Sequence, residues 1–300
     1  MACAQSKLKR EDESSMKLKF TKMQGAGNDF VVLDCTRAAP TLSKADYAKL
    51  GDRHFGVGCD QILVITAPKD AANDFAYRIF NNDGDEVEHC GNGARCFMRF
   101  VRSQGLTTKN DVRVEVAGGV MILHENADET VTVDMGVPKS AVTLHTLPAS
   151  SLLPASPLLA VFGGDVRFAE VSMGNPHAVL RVEENCDMSS LVMKTRVETQ
   201  GRVLELHPHF PNRVNVGFMQ VKSSQHIALR VWERGAGETL ACGTGACAAV
   251  VCGIAQGWLQ SPVRVDALGG TLTVAWAGQD NSHVFMTGPA VVVYAGEIEI

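Results

Sequence analysis

Arg78-Ile79-Phe80, then Glu86, then Cys90-Gly91-Asn92-Gly93-Ala94 recur along the chain as Arg230-Val231-Trp232, Glu238 and Cys242-Gly243-Thr244-Gly245-Ala246. The offset is a constant 152 residues, without a gap. The similarity widens on both sides. Gly27-Asn28-Asp29-Phe30 is echoed by Gly174-Asn175-Pro176-His177, and His54-Phe55 with Gln61 by His209-Phe210 with Asn215. Val112-Arg113-Val114-Glu115 with Gly118-Gly119 returns as Val263-Arg264-Val265-Asp266 with Gly269-Gly270. Four landmarks in one order indicate an internal duplication, which sets the architecture before any element is assigned.

Local signals place these landmarks on elements. Lys17–Phe20, Phe30–Asp34, Ile62–Thr66 and Tyr77–Phe80 read as strands, with a Gly25-x-Gly27-Asn28 turn between the first two. Ser43–Arg53 reads as a helix with Ser43 as N-cap and Asp46 at its third position. Ala94–Gln104 and Ala246–Gln256 have helical spacing and end at Gly105 and Gly257. Val112–Val116, Val120–Leu123 and Val131–Met135 form a strand meander, and 290–300 reads as a strand that returns to the first half. The predicted fold class is α+β: two pseudo-symmetric domains from an internal duplication, each a mixed or antiparallel sheet wrapped around a central helix. The first spans residues 17–136 plus 290–300 and carries Cys90. The second spans 137–289 and carries Cys242, and a Pro/Ser/Leu-rich stretch, 147–159, connects the halves.

Composition narrows the class. Three hundred residues, 45% hydrophobic and 20% charged, suffice for two cores. A net charge of −5 gives no electrostatic footprint for nucleic acid or an anionic membrane. No apolar run approaches the roughly 20 residues of a membrane span. The charged N-terminal extension, residues 1–16, lacks the apolar core of a signal peptide. Nine cysteines, an odd number, then argue for reduced thiols in a cytoplasm. Their spacing does not match a zinc motif, so no metal is expected, and Cys96, Cys247 and Cys252 read as small core residues.

Cys90 and Cys242 are different, because each precedes a Gly-x-Gly turn that opens a predicted helix. Free N–H groups and the positive end of the helix dipole are expected there to lower a thiol pKa and to receive a carboxylate. Isolated, each would read as a structural cysteine in a tight turn. Duplicated, the pair suggests two thiols facing each other across one carbon, one removing a proton and the other returning one. The Rossmann and Walker patterns are absent, and no lysine stands in a motif expected of a pyridoxal enzyme, so the expected chemistry is cofactor-free.

These motifs resemble the diaminopimelate epimerase family over nearly all of residues 16–300. The resemblance rests on Gly25-Ala26-Gly27-Asn28-Asp29-Phe30, Gly58-Cys59-Asp60-Gln61, Asn81, Cys90-Gly91-Asn92-Gly93-Ala94-Arg95, Gly174-Asn175-Pro176-His177, Arg213-Val214-Asn215, Glu233-Arg234-Gly235-Ala236-Gly237-Glu238-Thr239 and Ala241-Cys242-Gly243-Thr244-Gly245. His89 departs from the family's usual Gln, a substitution read as neutral. The resemblance implies an isomerase of lysine and peptidoglycan-precursor biosynthesis that interconverts LL- and meso-diaminopimelate by a two-base mechanism, without cofactor or metal, in the cytoplasm. It implies Cys90 and Cys242 as acid and base, with His177 and Glu233 as the polar pair beside them. Gly91, Asn92, Gly243 and Thr244 would receive the reacting carboxylate. Asn28, Gln61, Asn81, Asn175, Asn215, Glu233 and Arg234 would hold the rest of the substrate. The expected partner is this small molecule, with neither nucleic acid nor membrane, and a homodimer is compatible. His54 and His209 are assigned to structure. Two alternatives stay open: a proline or hydroxyproline racemase-type enzyme, and a non-catalytic thiol-redox or binding module.

Overall fold

The structure, a computed structural model, describes residues 16–87, 90–148 and 162–300. The N-terminal extension, His89 and most of the predicted connecting stretch lie outside the described residues.

In the first half, β1 (Lys17–Gly25) and β2 (Asn28–Cys35) form a hairpin across Ala26-Gly27. Both turn residues have positive φ, 53° and 86°. A Cβ on Gly27 would also strike Leu240, so the turn needs glycine sterically as well as conformationally. Strand β2 runs parallel to β3 (Gln61–Thr66), which pairs antiparallel with β4 (Phe75–Asn81). The short β5 (Glu86–Val87) flanks β4. Strand β4 runs parallel to β6 (Asp111–Val116), and β7 (Gly119–Glu125) and β8 (Val131–Asp134) complete the predicted meander. The crossover between β2 and β3 contains helix α1 (Lys44–Gly51). Ser43 and Asp46 close a full capping box there, as the sequence predicts. The crossover between β4 and β6 contains α2 (Gly91–Ser103).

The second half repeats this order. Strands β10 (Val166–Ser172), β11 (Pro176–Arg181), β12 (Asn215–Ser223) and β13 (His226–Glu233) match β1 to β4. Strands β14 (Gly237–Thr239), β15 (Val263–Ala267), β16 (Gly270–Trp276) and β17 (Val284–Gly288) match β5 to β8. Helices α3 (Leu191–Glu205) and α4 (Gly243–Ala255) match α1 and α2. Register confirms the duplication: Phe30 pairs with Gln61 where His177 pairs with Asn215. Arg78 grips Glu86 with Nε and Nη2, and Arg230 grips Glu238 through the same two atoms. The repeated Arg and Glu are therefore structural, each pair tying a short strand to its neighbour.

Two strands complete the ends. The terminal β18 (Val291–Glu299) pairs with β1, and β9 (Thr143–Leu147) pairs with the equivalent β10. The halves join where β8 pairs with β17. Each sheet has two cores. One face surrounds the central helix, α2 or α4, whose side chains are almost wholly buried, and the other packs on α1 or α3. A glycine lets the start of each central helix sit close to its sheet. A Cβ on Gly93 would lie 3.3 Å from Ile79, Leu63 and Phe30, and one on Gly245 only 3.1 Å from Val231. A larger residue there would force those side chains to give way by a few tenths of an ångström.

Candidate active site

Both central helices begin earlier than spacing suggests, at Gly91 and Gly243, which makes Cys90 and Cys242 their N-caps. The first glycine of each turn packs against the same side chain. A Cβ on Gly91 would be 2.8 Å from Met286 Cε, and one on Gly243 3.2 Å from it. The two helix N-termini thus meet over Met286. The Asn92 carboxamide bridges them, donating to Ala241 O at 3.0 Å and to Asn28 Oδ1 at 3.3 Å.

The surrounding polar groups keep the twofold pattern. In the first half Asn28 Oδ1 accepts from the Cys90 thiol at 3.6 Å, and Asp60 holds the Asn28 amide at 2.9 Å. In the second, Asn175 donates to Thr244 Oγ1 at 3.2 Å, and Thr244 Oγ1 lies 3.6 Å from Cys242 Sγ. His177 is buried with Nε2 3.0 Å from Asn175 Oδ1. Asn215 accepts from the Arg234 backbone N–H at 2.9 Å and donates to Pro176 O at 3.2 Å. Glu233 accepts from the Thr239 hydroxyl, and its carboxylate lies close enough to the Cys242 thiol to act on it electrostatically. Gln61 donates to Asn81 Oδ1 at 3.0 Å, and its own Oε1 is buried without a partner among the described residues. These contacts fall into groups: Asn28 and Asn92 around Cys90, Thr244, Asn175 and His177 beside Cys242, Asn215 with Arg234, and Gln61 with Asn81. A cavity of about 590 Å³ between Leu259, Trp276, His283 and Phe285 contains none of them.

Electrostatics depart from the sequence-based expectation. Burial pushes the Cys90 thiol above its ordinary range; the N–H groups of Gly93 and Asn92 pull it down, and the Glu233 carboxylate pushes it up. Cys242 is raised further, by burial first and by Glu233 second, against the Thr244 hydroxyl and the Gly245 N–H. The helix N-termini act in the expected direction but desolvation of a buried thiolate outweighs them. Burial also raises the Glu233 carboxyl, and lowers the His177 pKa to about 3 with help from Arg234, so the imidazole is neutral.

The buried cysteines make stability depend on alkalinity. Burial pushes Cys59, Cys96, Cys247 and Cys252 up to about 12, and an unfolded thiol titrates near ~8.5. Between those values the folded chain holds protons that the unfolded chain has released. Stability is therefore full below about pH 8.5 and declines as pH rises towards about 12. His177 has the opposite sign: its stabilisation is present above the unfolded imidazole value and is lost as pH falls towards about 3. Urea unfolding across the alkaline range should show a steady loss; a flat profile would contradict the buried, protonated thiols.

Sequence reasoning gave no role to two residues that organise the site. Asp60 anchors Asn28 and belongs to an ion network with Arg53, Asp29 and Lys22. Arg95 is fully buried at the seam between the halves. It donates to Asn92 Oδ1 at 2.9 Å and to Pro289 O at 3.2 Å, and its Nη2 has no partner among the described residues. Both lie inside quoted motifs, but neither spacing nor residue type marks them as site organisers.

Comparison with known proteins gives one family. The sequence model described as diaminopimelate epimerase matches residues 20–141 and 169–293. A diaminopimelate epimerase of Azoarcus sp. (strain BH72) is 53% identical over 285 residues, covering 95% of this chain and 100% of the relative. That of Cupriavidus taiwanensis is 54% identical over 291 residues, covering 95% of this chain and 98% of the relative. Among solved structures, a phenazine biosynthesis protein of the PhzF family from Bacillus anthracis aligns with a TM-score of 0.72 at 15% identity, over 95% of this chain and 100% of that one. A probable proline racemase from Agrobacterium radiobacter K84 aligns with a TM-score of 0.67 at 14% identity, over 94% and 92%. At such identities the structures share the fold.

Proposed function

The chain belongs to the diaminopimelate epimerase family, and from that premise we propose that it interconverts LL- and meso-diaminopimelate with Cys90 and Cys242 as its two bases. The observation that carries this reading is the meeting of two equivalent helix N-termini, each capped by a cysteine, over Met286. A substrate carboxylate received by N–H groups of both termini presents its α-carbon between the thiols. One sulfur, as thiolate, takes the α-proton from its face. The electron pair spreads onto the carboxylate, where the helix termini stabilise the added charge. The other thiol then delivers its proton to the opposite face, leaving the configuration inverted and the two sulfurs in exchanged protonation states.

The raised thiol pKa values fit this role. Until a substrate ammonium arrives, burial and Glu233 favour the protonated form of both sulfurs. A bound ammonium offsets the Glu233 charge and favours thiolate when there is a proton to remove. Gln61 Oε1, a buried acceptor without a partner among the described residues, suits an ammonium N–H. Neutral His177 can orient an amine through one nitrogen while Asn175 holds the other. Arg234 can grip a second carboxylate, which a long diacid has and proline lacks. The same reading puts one base in each of two units, 17–136 with 290–300 and 137–289, in a cytoplasmic enzyme. Among the described residues no helix is long and apolar enough to cross a membrane.

The decisive experiment incubates the protein with LL-diaminopimelate in D2O and follows deuterium at the α-carbon. Expected are one solvent-derived deuteron per inversion and activity that survives chelation. No exchange on diaminopimelate would refute the proposal, and exchange on proline instead would favour the racemase alternative.

A further inference from the structure

On the face of the second sheet that packs against α3, three side chains converge that the epimerase site does not use. His145 lies on β9, Glu170 on β10 and His209 in the turn after α3. Glu170 shares its strand face with Val166 and Phe168, whereas the adjacent Val171, which pairs with His177, belongs to the core around α4. The cluster and the cysteines thus lie on opposite sides of the sheet.

Glu170 Oε2 is 3.0 Å from His145 Nε2 and 3.2 Å from His209 Nε2, and the three ligand atoms lie within 4.8 Å of one another. Tetrahedral metal–ligand bonds of about 2.0–2.1 Å put neighbouring donor atoms about 3.3 Å apart, so small movements would satisfy an ion. Aromatic packing holds the imidazoles: His145 stacks on Phe168 at 5.3 Å, and His209 meets Phe210 edge-on at 4.7 Å. The His209 N–H also donates to His207 Nδ1 at 3.1 Å, bracing the turn. Glu170 is paired with no lysine or arginine among the described residues. A metal takes imidazole in its neutral form, so two imidazoles and one carboxylate would present a net charge of −1 to a divalent ion. Each of the three side chains is about a third exposed or less, which leaves a path for entry and a coordination position for water.

We propose that His145, Glu170 and His209 bind one divalent transition-metal ion of the zinc class, which fastens the edge strand β9 to β10 and to the turn after α3. Two imidazoles with a carboxylate select such ions over calcium or magnesium. The spacing, 25 and 39 residues, matches no sequence motif, because three separate elements supply the ligands.

The test is titration of the full-length protein with Co2+, whose visible bands report coordination and whose near-ultraviolet charge-transfer band reports thiolate. Expected are one ion per chain, bands without the thiolate signature, and a melting temperature raised by a few degrees, about as mass action predicts. Zn2+ should displace the Co2+. His209→Ala and the isosteric Glu170→Gln should each weaken binding at least about tenfold and abolish the thermal shift while leaving epimerase activity unchanged. If His209→Ala does not fold, Glu170→Gln decides alone. Binding weaker than about 1 mM, a thiolate band only, or undiminished binding in Glu170→Gln would each overturn the proposal.

Discussion

Cys90→Ala and Cys242→Ala are each expected to lower epimerisation by about 10³-fold or more, because in the proposed mechanism each sulfur serves a different face of the α-carbon. Neither change should unfold the protein. Both cysteines are helix N-caps with no side-chain cap hydrogen bond, so alanine removes no capping contact. The informative measurement separates the two half-reactions in D2O with each isomer as substrate. A variant lacking one thiol can still remove a proton with the other and can return a deuteron only to the same face. Exchange without inversion from one isomer, and neither from the other, is the expected signature. Full inversion by either variant would eliminate the two-base assignment. Cys247→Ser is the matching control: it buries a hydroxyl inside the α4 core, costs about 1–3 kcal/mol, and should leave turnover per folded molecule intact.

Arg95→Met is expected to have the next largest effect, on both stability and rate. Methionine fills much of the volume but cannot donate. Asn92 Oδ1 and Pro289 O would then be left without the donor they have now, each at about 1–3 kcal/mol. The consequence reaches the chemistry through Asn92. Its carboxamide is fixed by Arg95 on one side and donates to Asn28 Oδ1 and Ala241 O on the other. Asn28 in turn accepts the Cys90 thiol. Freed from the guanidinium, the carboxamide can flip, and the join between the halves loosens beside both sulfurs. Urea unfolding should record the destabilisation. Turnover and substrate affinity should both fall, since Asn92 and Asn28, which the proposed reading gives to the substrate, lose their anchor together. An Arg95→Met enzyme with wild-type stability would contradict the observed hydrogen bonding.

The duplication was legible in the sequence because it is written in local signals. A constant offset, strand alternation, Gly-x-Gly before a helical run and the capping box of Ser43 and Asp46 depend on near neighbours, and all reappear as structure. Helix starts were less legible. Glycine and asparagine weaken the helical pattern at Gly91-Asn92-Gly93, so the reading began at Ala94, although packing against Ile79, Leu63 and Phe30 carries the helix back to Gly91. The cluster of His145, Glu170 and His209 had no local signal at all, since β9, β10 and the turn after α3 become neighbours only in the folded chain.

By itself, then, the sequence determined that there are two equivalent halves, that each has a cysteine at a helix start, and which family they belong to. Tertiary structure alone decided that the helix starts meet over Met286 and that Arg95 occupies the seam. It also reversed the expected direction of the thiol pKa values. A helix N-terminus is a local property and can be read from a few residues. Desolvation depends on everything that surrounds the sulfur, and the Glu233 carboxylate reaches Cys90 from the other half of the chain. Burial and long-range charge are sums over the whole fold, so they become known only when the chain is folded.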